Sequence, residues 1–164
     1  MAPAFANGDE HSGHGTSASS DHGAGAGEAT VFGKPAKGRS VSFVAKLSGA
    51  NEVPVPRGPA VNDPDAAALA HVTVKGDRVT YSLQWKNVVP GLGHIHQGKS
   101  GQNGPVKVGL FGTAMPDSVH SAAGQVALTD AKLAQEIRTN PAGFYVNLHS
   151  AEFPGGAVRG QLFR

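Results

Sequence analysis

From Val41 onward, apolar residues recur at every second position. Val41, Phe43, Ala45 and Leu47 alternate with Ser42, Val44 and Lys46. Val79, Tyr81, Leu83 and Trp85 repeat the alternation after the turn sequence Lys75-Gly76-Asp77. A period of two puts the apolar set on one face of a strand and the intervening residues on the other. Further short strands are predicted at Leu69–Val74, Gly93–Gln97, Val106–Phe111, Gly124–Leu128, Phe144–His149 and Ala157–Phe163, with Gly, Pro, Asn or Asp in most of the gaps. One helix is predicted over Asp130–Arg138: Asp130 caps it, Leu133 and Ile137 share a face, and Asn140-Pro141 stops it. About eight strands and one short helix over residues 41–164 predict an all-β domain, an antiparallel Greek-key barrel or sandwich.

Residues 1–40 lack the alternation. They hold 8 Gly, 8 Ala and 5 Ser, with Phe5, Val31 and Phe32 among their few large apolar groups. Such a segment buries too little surface to offset its ordering entropy, so a disordered tail is expected there. Ala4-Phe5-Ala6 resembles the small-residue end of a secretory signal, and an exported protein, periplasmic or secreted, is expected. His11, His14 and His22 give the tail a second reading, loose capture of copper or zinc; the alternative is a solvated linker.

Composition narrows the field. With no Cys, a disulfide scaffold, a thiolate metal site and a Cys nucleophile are all excluded. The 23 Gly and 11 Pro suit many short strands and turns better than a helical bundle. The 14 Lys and Arg against 12 Asp and Glu are scattered, which argues against nucleic acid as a partner. No apolar run approaches the ~18 residues of a membrane-spanning helix.

Candidate chemistry lies on three of the strands. In His94-Ile95-His96 the two imidazoles share a face, and Ile95 points to the core. In Phe144–His149 the apolar face is Phe144, Val146 and Leu148, so Asn147 and His149 point outward. In Ala157–Leu162, Val158 and Leu162 point inward, Arg159 and Gln161 outward. Three imidazoles with an open position suit copper or zinc, and a nearby cation attracts a small anion. Periodicity fixes the facing of these strands; whether they are neighbours stays open. Metal affinity is expected to fall as pH drops through about 6.5, where free imidazole takes up a proton. His120 is either a fourth ligand or an exposed residue, and His71 is a polar strand residue. Tyr81 and Trp85 belong to the core on the alternation. No phosphate loop or nucleophile elbow is present.

Five segments carry a resemblance. Leu47-Ser48-Gly49-Ala50-Asn51-Glu52-Val53-Pro54, Gly93-His94-Ile95-His96-Gln97-Gly98, Asn103-Gly104-Pro105-Val106, Tyr145-Val146-Asn147-Leu148-His149-Ser150 and Phe153-Pro154-Gly155-Gly156-Ala157-Val158-Arg159-Gly160-Gln161-Leu162 together resemble the CHRD domain family, named from chordin. The match runs from about Ser42 to Arg164 and implies an all-β domain found in exported proteins. A more distant likeness, in the order of the His-x-His, Asn-x-His and Gly-Gly-x-x-Arg segments, is to copper–zinc superoxide dismutase. It implies a superoxide-dismutase-like or immunoglobulin-like fold, copper ligands at His94, His96 and His149, and a guiding Arg159. The loop after His96 holds no His or Asp cluster for zinc, so one copper ion is expected, with zinc second. The expected function is an exported copper-binding β domain, with superoxide dismutation as its most concrete activity and superoxide as the partner. The alternative is a non-enzymatic copper carrier or an extracellular adhesion module.

Overall fold

The alternation becomes eight strands in the computed structural model, which describes residues 37–58 and 60–164. They are β1 (Ser40–Ser48), β2 (Ala67–Lys75), β3 (Arg78–Lys86), β4 (Pro90–Gln97), β5 (Val106–Phe111), β6 (Ser121–Ala127), β7 (Phe144–Ser150) and β8 (Val158–Gln161). One helix, α1 (Ala131–Thr139), lies between β6 and β7. Every predicted strand and the helix are present, with ends shifted by a few residues. Pro90-Gly91 opens β4 and leads into a register shift before Leu92. The first position of a strand is one that proline tolerates. The expected tail falls almost wholly on residues 1–36, outside the described residues, as do His11, His14 and His22.

All strand pairs are antiparallel, in the order β5-β4-β7-β8-β1-β2-β3-β6, and the sheet curls into a nearly closed barrel. The inward set of each strand fills it: Phe43, Ala45 and Leu47 from β1, Val72 and Val74 from β2, Val79 and Leu83 from β3, Ile95 from β4, Val146 and Leu148 from β7. Gly76 opens the two-residue turn between β2 and β3 with φ +58°, a conformation that costs glycine nothing. The Asp130 side chain accepts from the Lys132 amide at 2.8 Å, which caps α1 as its sequence suggests. Ala134 and Ile137 bury one face of α1, and Arg138 donates to the Gly76 carbonyl at 2.8 Å, tying the helix to that turn.

The two end strands, β5 and β6, meet without a ladder. Side chains of β3 close the seam instead. The Tyr81 hydroxyl donates to the Leu110 carbonyl of β5 at 2.8 Å. It reaches past Gly124, its register partner on β6, where a Cβ would collide with the phenol. Trp85 donates from its indole to the Val119 carbonyl at 3.0 Å and stacks on Phe111, ring centroids 6.3 Å apart.

Candidate metal centre

The adjacency that the sequence left open is settled by the sheet. β4 and β7 are neighbours, with Leu92 opposite His149, His94 opposite Asn147 and His96 opposite Tyr145. β8 flanks β7 on its other side, with Arg159 opposite Asn147. His94, His96 and His149 therefore converge on one face. Each offers a ring nitrogen, and these three atoms lie within 4.8 Å of one another.

Backbone carbonyls set two of the rings. The His96 Nδ1–H donates to the Gly104 carbonyl at 2.9 Å, and the His149 Nδ1–H donates to the Pro154 carbonyl at 3.0 Å. A neutral imidazole carries one proton, so each of these rings presents a bare Nε2 to the centre. The His96 Nε2 is buried and has no hydrogen-bond partner. His149 Nε2 lies 3.2 Å from His94 Nδ1, close to the ~3.3 Å edge of a tetrahedron with ~2.0 Å metal–nitrogen bonds. An ion held by His94 Nδ1, His96 Nε2 and His149 Nε2 thus fits the residues present, and would supply the missing partner of His96. Outer-shell carbonyls that fix the tautomer are the usual support of a metal-binding imidazole.

Facing came out as the sequence pattern predicts; exposure did not. His96 is 8% and His149 9% exposed, Asn147 2% and Arg159 1%. The segments 98–105 and 151–157 fold over the outer face of β7 and bury it, so β7 is covered on both sides. Burial, with the like tendency of His149 and His96 to charge, pushes the His94 imidazole down to about 4. Burial also lowers His96 and His149, against the opposing pull of their carbonyl partners. Burial thus favours the neutral form of all three rings, the form a ligand needs, relative to free imidazole with its value of about 6.5.

Arg159 occupies a different place from the expected one. It does not line the open groove beside His149. Its guanidinium lies 3.5 Å over the ring of Tyr145, and its donors go to the carbonyls of Lys99 and Gln102 and to the side chain of Asn103. The carboxylate whose field it feels is Glu52; Glu152 is an exposed residue of the groove. Burial raises Glu52 to about 7 against the pull of Arg159 and a hydrogen bond with Asn147. Its Oε1 and the Asn147 Oδ1 are both buried without a partner. Glu52, Asn103, Gly104, Tyr145 and Pro154 are members of the centre's surroundings that strand periodicity missed, because four of them act from loops. Their signal was their presence in the quoted segments.

His120 is exposed and stands outside the cluster, with its backbone carbonyl accepting from the Trp85 amide. His71 is exposed on β2, opposite Ser82. A groove of about 700 Å³ opens beside the centre, with His149 in its wall. Its lining carries Asp63, Asp117 and Glu152 and no Lys or Arg.

A β-barrel with three imidazoles gathered on a loop-covered outer face is the class these observations define. The chain matches the CHRD domain family model over residues 43–162 and belongs to that family. No curated protein and no solved structure gives a significant match, copper–zinc superoxide dismutases included.

Proposed function

We propose that the chain is a copper-binding domain holding one ion through His94, His96 and His149, and that it carries copper without catalysis. The observation that supports the site is the buried His96 Nε2, bare and partnerless at the convergence of two other imidazoles. An all-nitrogen set of neutral ligands favours copper, since affinity in such sites peaks at Cu(II) and drops at Zn(II). Bound there, copper would supply one-electron chemistry between Cu(II) and Cu(I).

The surroundings favour loading with a cation over turnover of an anion. The groove beside His149 presents three carboxylates and no Lys or Arg. Such a lip raises the local concentration of cations and lowers that of superoxide. Arg159, which the dismutase likeness assigns to anion guidance, is buried under the loop of residues 98–105.

Titration of the full chain with Cu(II) and Zn(II) against a competing chelator tests the site: one copper per chain is expected, bound more tightly than zinc. A superoxide assay of the loaded protein tests the role. No rate above that of copper held by an inert chelator is expected. A dismutation rate that is high at low salt and falls as salt is added would show anion attraction and overturn the carrier reading.

A further inference from the structure

We propose that Arg159 is a positioning residue for the metal: it clamps the loop of residues 98–105 so that the Gly104 carbonyl holds His96 in its binding tautomer. The inference rests on the three-imidazole reading above and names what keeps that site ready.

Arg159 and His96 do not touch through hydrogen bonds. They stand on β8 and β4, with Tyr145 of β7 between them. The Tyr145 ring takes the guanidinium at 3.5 Å and stacks with the His96 imidazole at 4.9 Å between centroids, 9° from parallel. Arg159 acts instead along the loop. Nη2 donates to the carbonyls of Lys99 at 2.9 Å and Gln102 at 2.7 Å, and Nη1 to the Asn103 Oδ1 at 3.1 Å. Asn103 passes the restraint on by donating to the Val53 carbonyl at 2.9 Å. The next residue, Gly104, gives its amide to the Tyr145 hydroxyl at 3.2 Å and takes the His96 Nδ1–H on its carbonyl.

Three features make this more than loop packing. A guanidinium stays charged at every relevant pH, so its bonds to carbonyls are charge-assisted throughout. Gly104 lies so close to the Gln97 carbonyl that a Cβ would collide with it, so only glycine lets the loop approach β4 this closely with its carbonyl on His96. The His96 ring has no other partner at either nitrogen among the described residues. With Gly104 displaced, nothing keeps the proton on Nδ1, and the Nε2–H tautomer has its lone pair on Nδ1, away from the other two imidazoles, with none on the Nε2 that faces them.

The test uses the full chain, its Arg159→Gln, Asn103→Ala and His96→Ala variants and the Arg159→Gln/His96→Ala double variant. Nitrogen-15 spectra of the metal-free protein read the His96 tautomer directly. Competition titration with Cu(II) reads affinity, and circular dichroism reads the fold. Arg159→Gln should raise the Nε2–H population of His96 and weaken copper binding about 10–100-fold, the range for outer-shell partners. In the His96→Ala background the same substitution should cost nothing further, because the route through His96 is already gone. Asn103 is exposed, so Asn103→Ala keeps the fold and should move both readouts the same way by less; it carries the test if Arg159→Gln does not fold. An unchanged tautomer in a folded variant, or a loss that adds in full to that of His96→Ala, would overturn the clamp. The tautomer reading involves no metal, so a wild-type chain that bound no copper would sink the site and still leave the clamp tested.

Discussion

The two halves of the barrel use the same alternation to opposite ends. In β2 and β3 the outer positions are mostly polar and mostly bare; β3 alternates buried and exposed residues along almost its whole length. In β7 every residue from Phe144 to His149 is buried, because loops lie on the outer face as well. His71 and His149 make the contrast within one residue type. Each is a histidine on the outer face of a strand. His71 meets water, whereas His149 meets the Pro154 carbonyl and two other imidazoles. The lesson is that a polar residue on the outside of a barrel becomes informative when something has been built over it. Covering a polar group costs stability unless it is satisfied, so a covered imidazole with one bare nitrogen signals a missing partner.

The widest gap between the halves should appear in metal binding. His149→Ala is expected to weaken copper by more than the roughly 10–100-fold typical of an outer-shell loss, while His71→Ala leaves affinity unchanged, both by chelator competition. Equal losses would erase the comparison.

Packing should separate covered from bare positions next. A methyl at Gly160 would run into the Lys46 backbone of β1, whereas one at Gly109 on the end strand meets nothing within 4 Å. Gly160→Ala should cost about 1–3 kcal/mol and Gly109→Ala stay within about 0.5 kcal/mol of wild type, read from denaturant midpoints.

The pH dependence of metal-free protein sharpens the contrast further. An unfolded chain protonates His94 near 6.5, the folded one near 4, so the unfolded state binds more protons between these values. Stability should therefore fall as pH drops through that window. Glu52 works with the opposite sign: its folded value of about 7 lies above the ordinary 4.5, so its contribution is complete below 4.5 and is lost as pH rises through 7. Glu52→Gln should remove the loss on the neutral side, and His94→Ala should reduce the loss on the acid side, both in chelator-treated protein. The smallest effect is expected at His120, where Ala should shift neither copper affinity nor melting temperature, since the side chain is exposed and outside the cluster.

Most of the fold was legible because burial inside a barrel is read by period two alone. Phe43, Val79, Leu83, Ile95 and Val146 announce their strands, and Asp130 announces its helix. The three converging imidazoles were legible for the same reason, as residues two apart on one strand and one outward residue of another. What period two cannot carry is which strands are neighbours and what lies over them. The pairing of β4 with β7 joins residues some fifty positions apart in the chain, as between His94 and His149. The covering loops have no period, so Arg159 reads as an exposed base when it is the most buried charge among the described residues. The depressed proton affinity of the imidazoles was hidden for the same reason: it comes from the covering, not from the strands.

The closure between β5 and β6 gives the barrel an optical handle. Trp85, the chain's single tryptophan, sits where β3 side chains reach across that seam, its indole held by Val119 and its ring against Phe111. Its fluorescence therefore reports the zipping of the last strand boundary. Circular dichroism averages all eight strands, so emission that reddens before ellipticity is lost would show the barrel unlatching at one edge while the rest of the sheet, the three imidazoles included, stays wound.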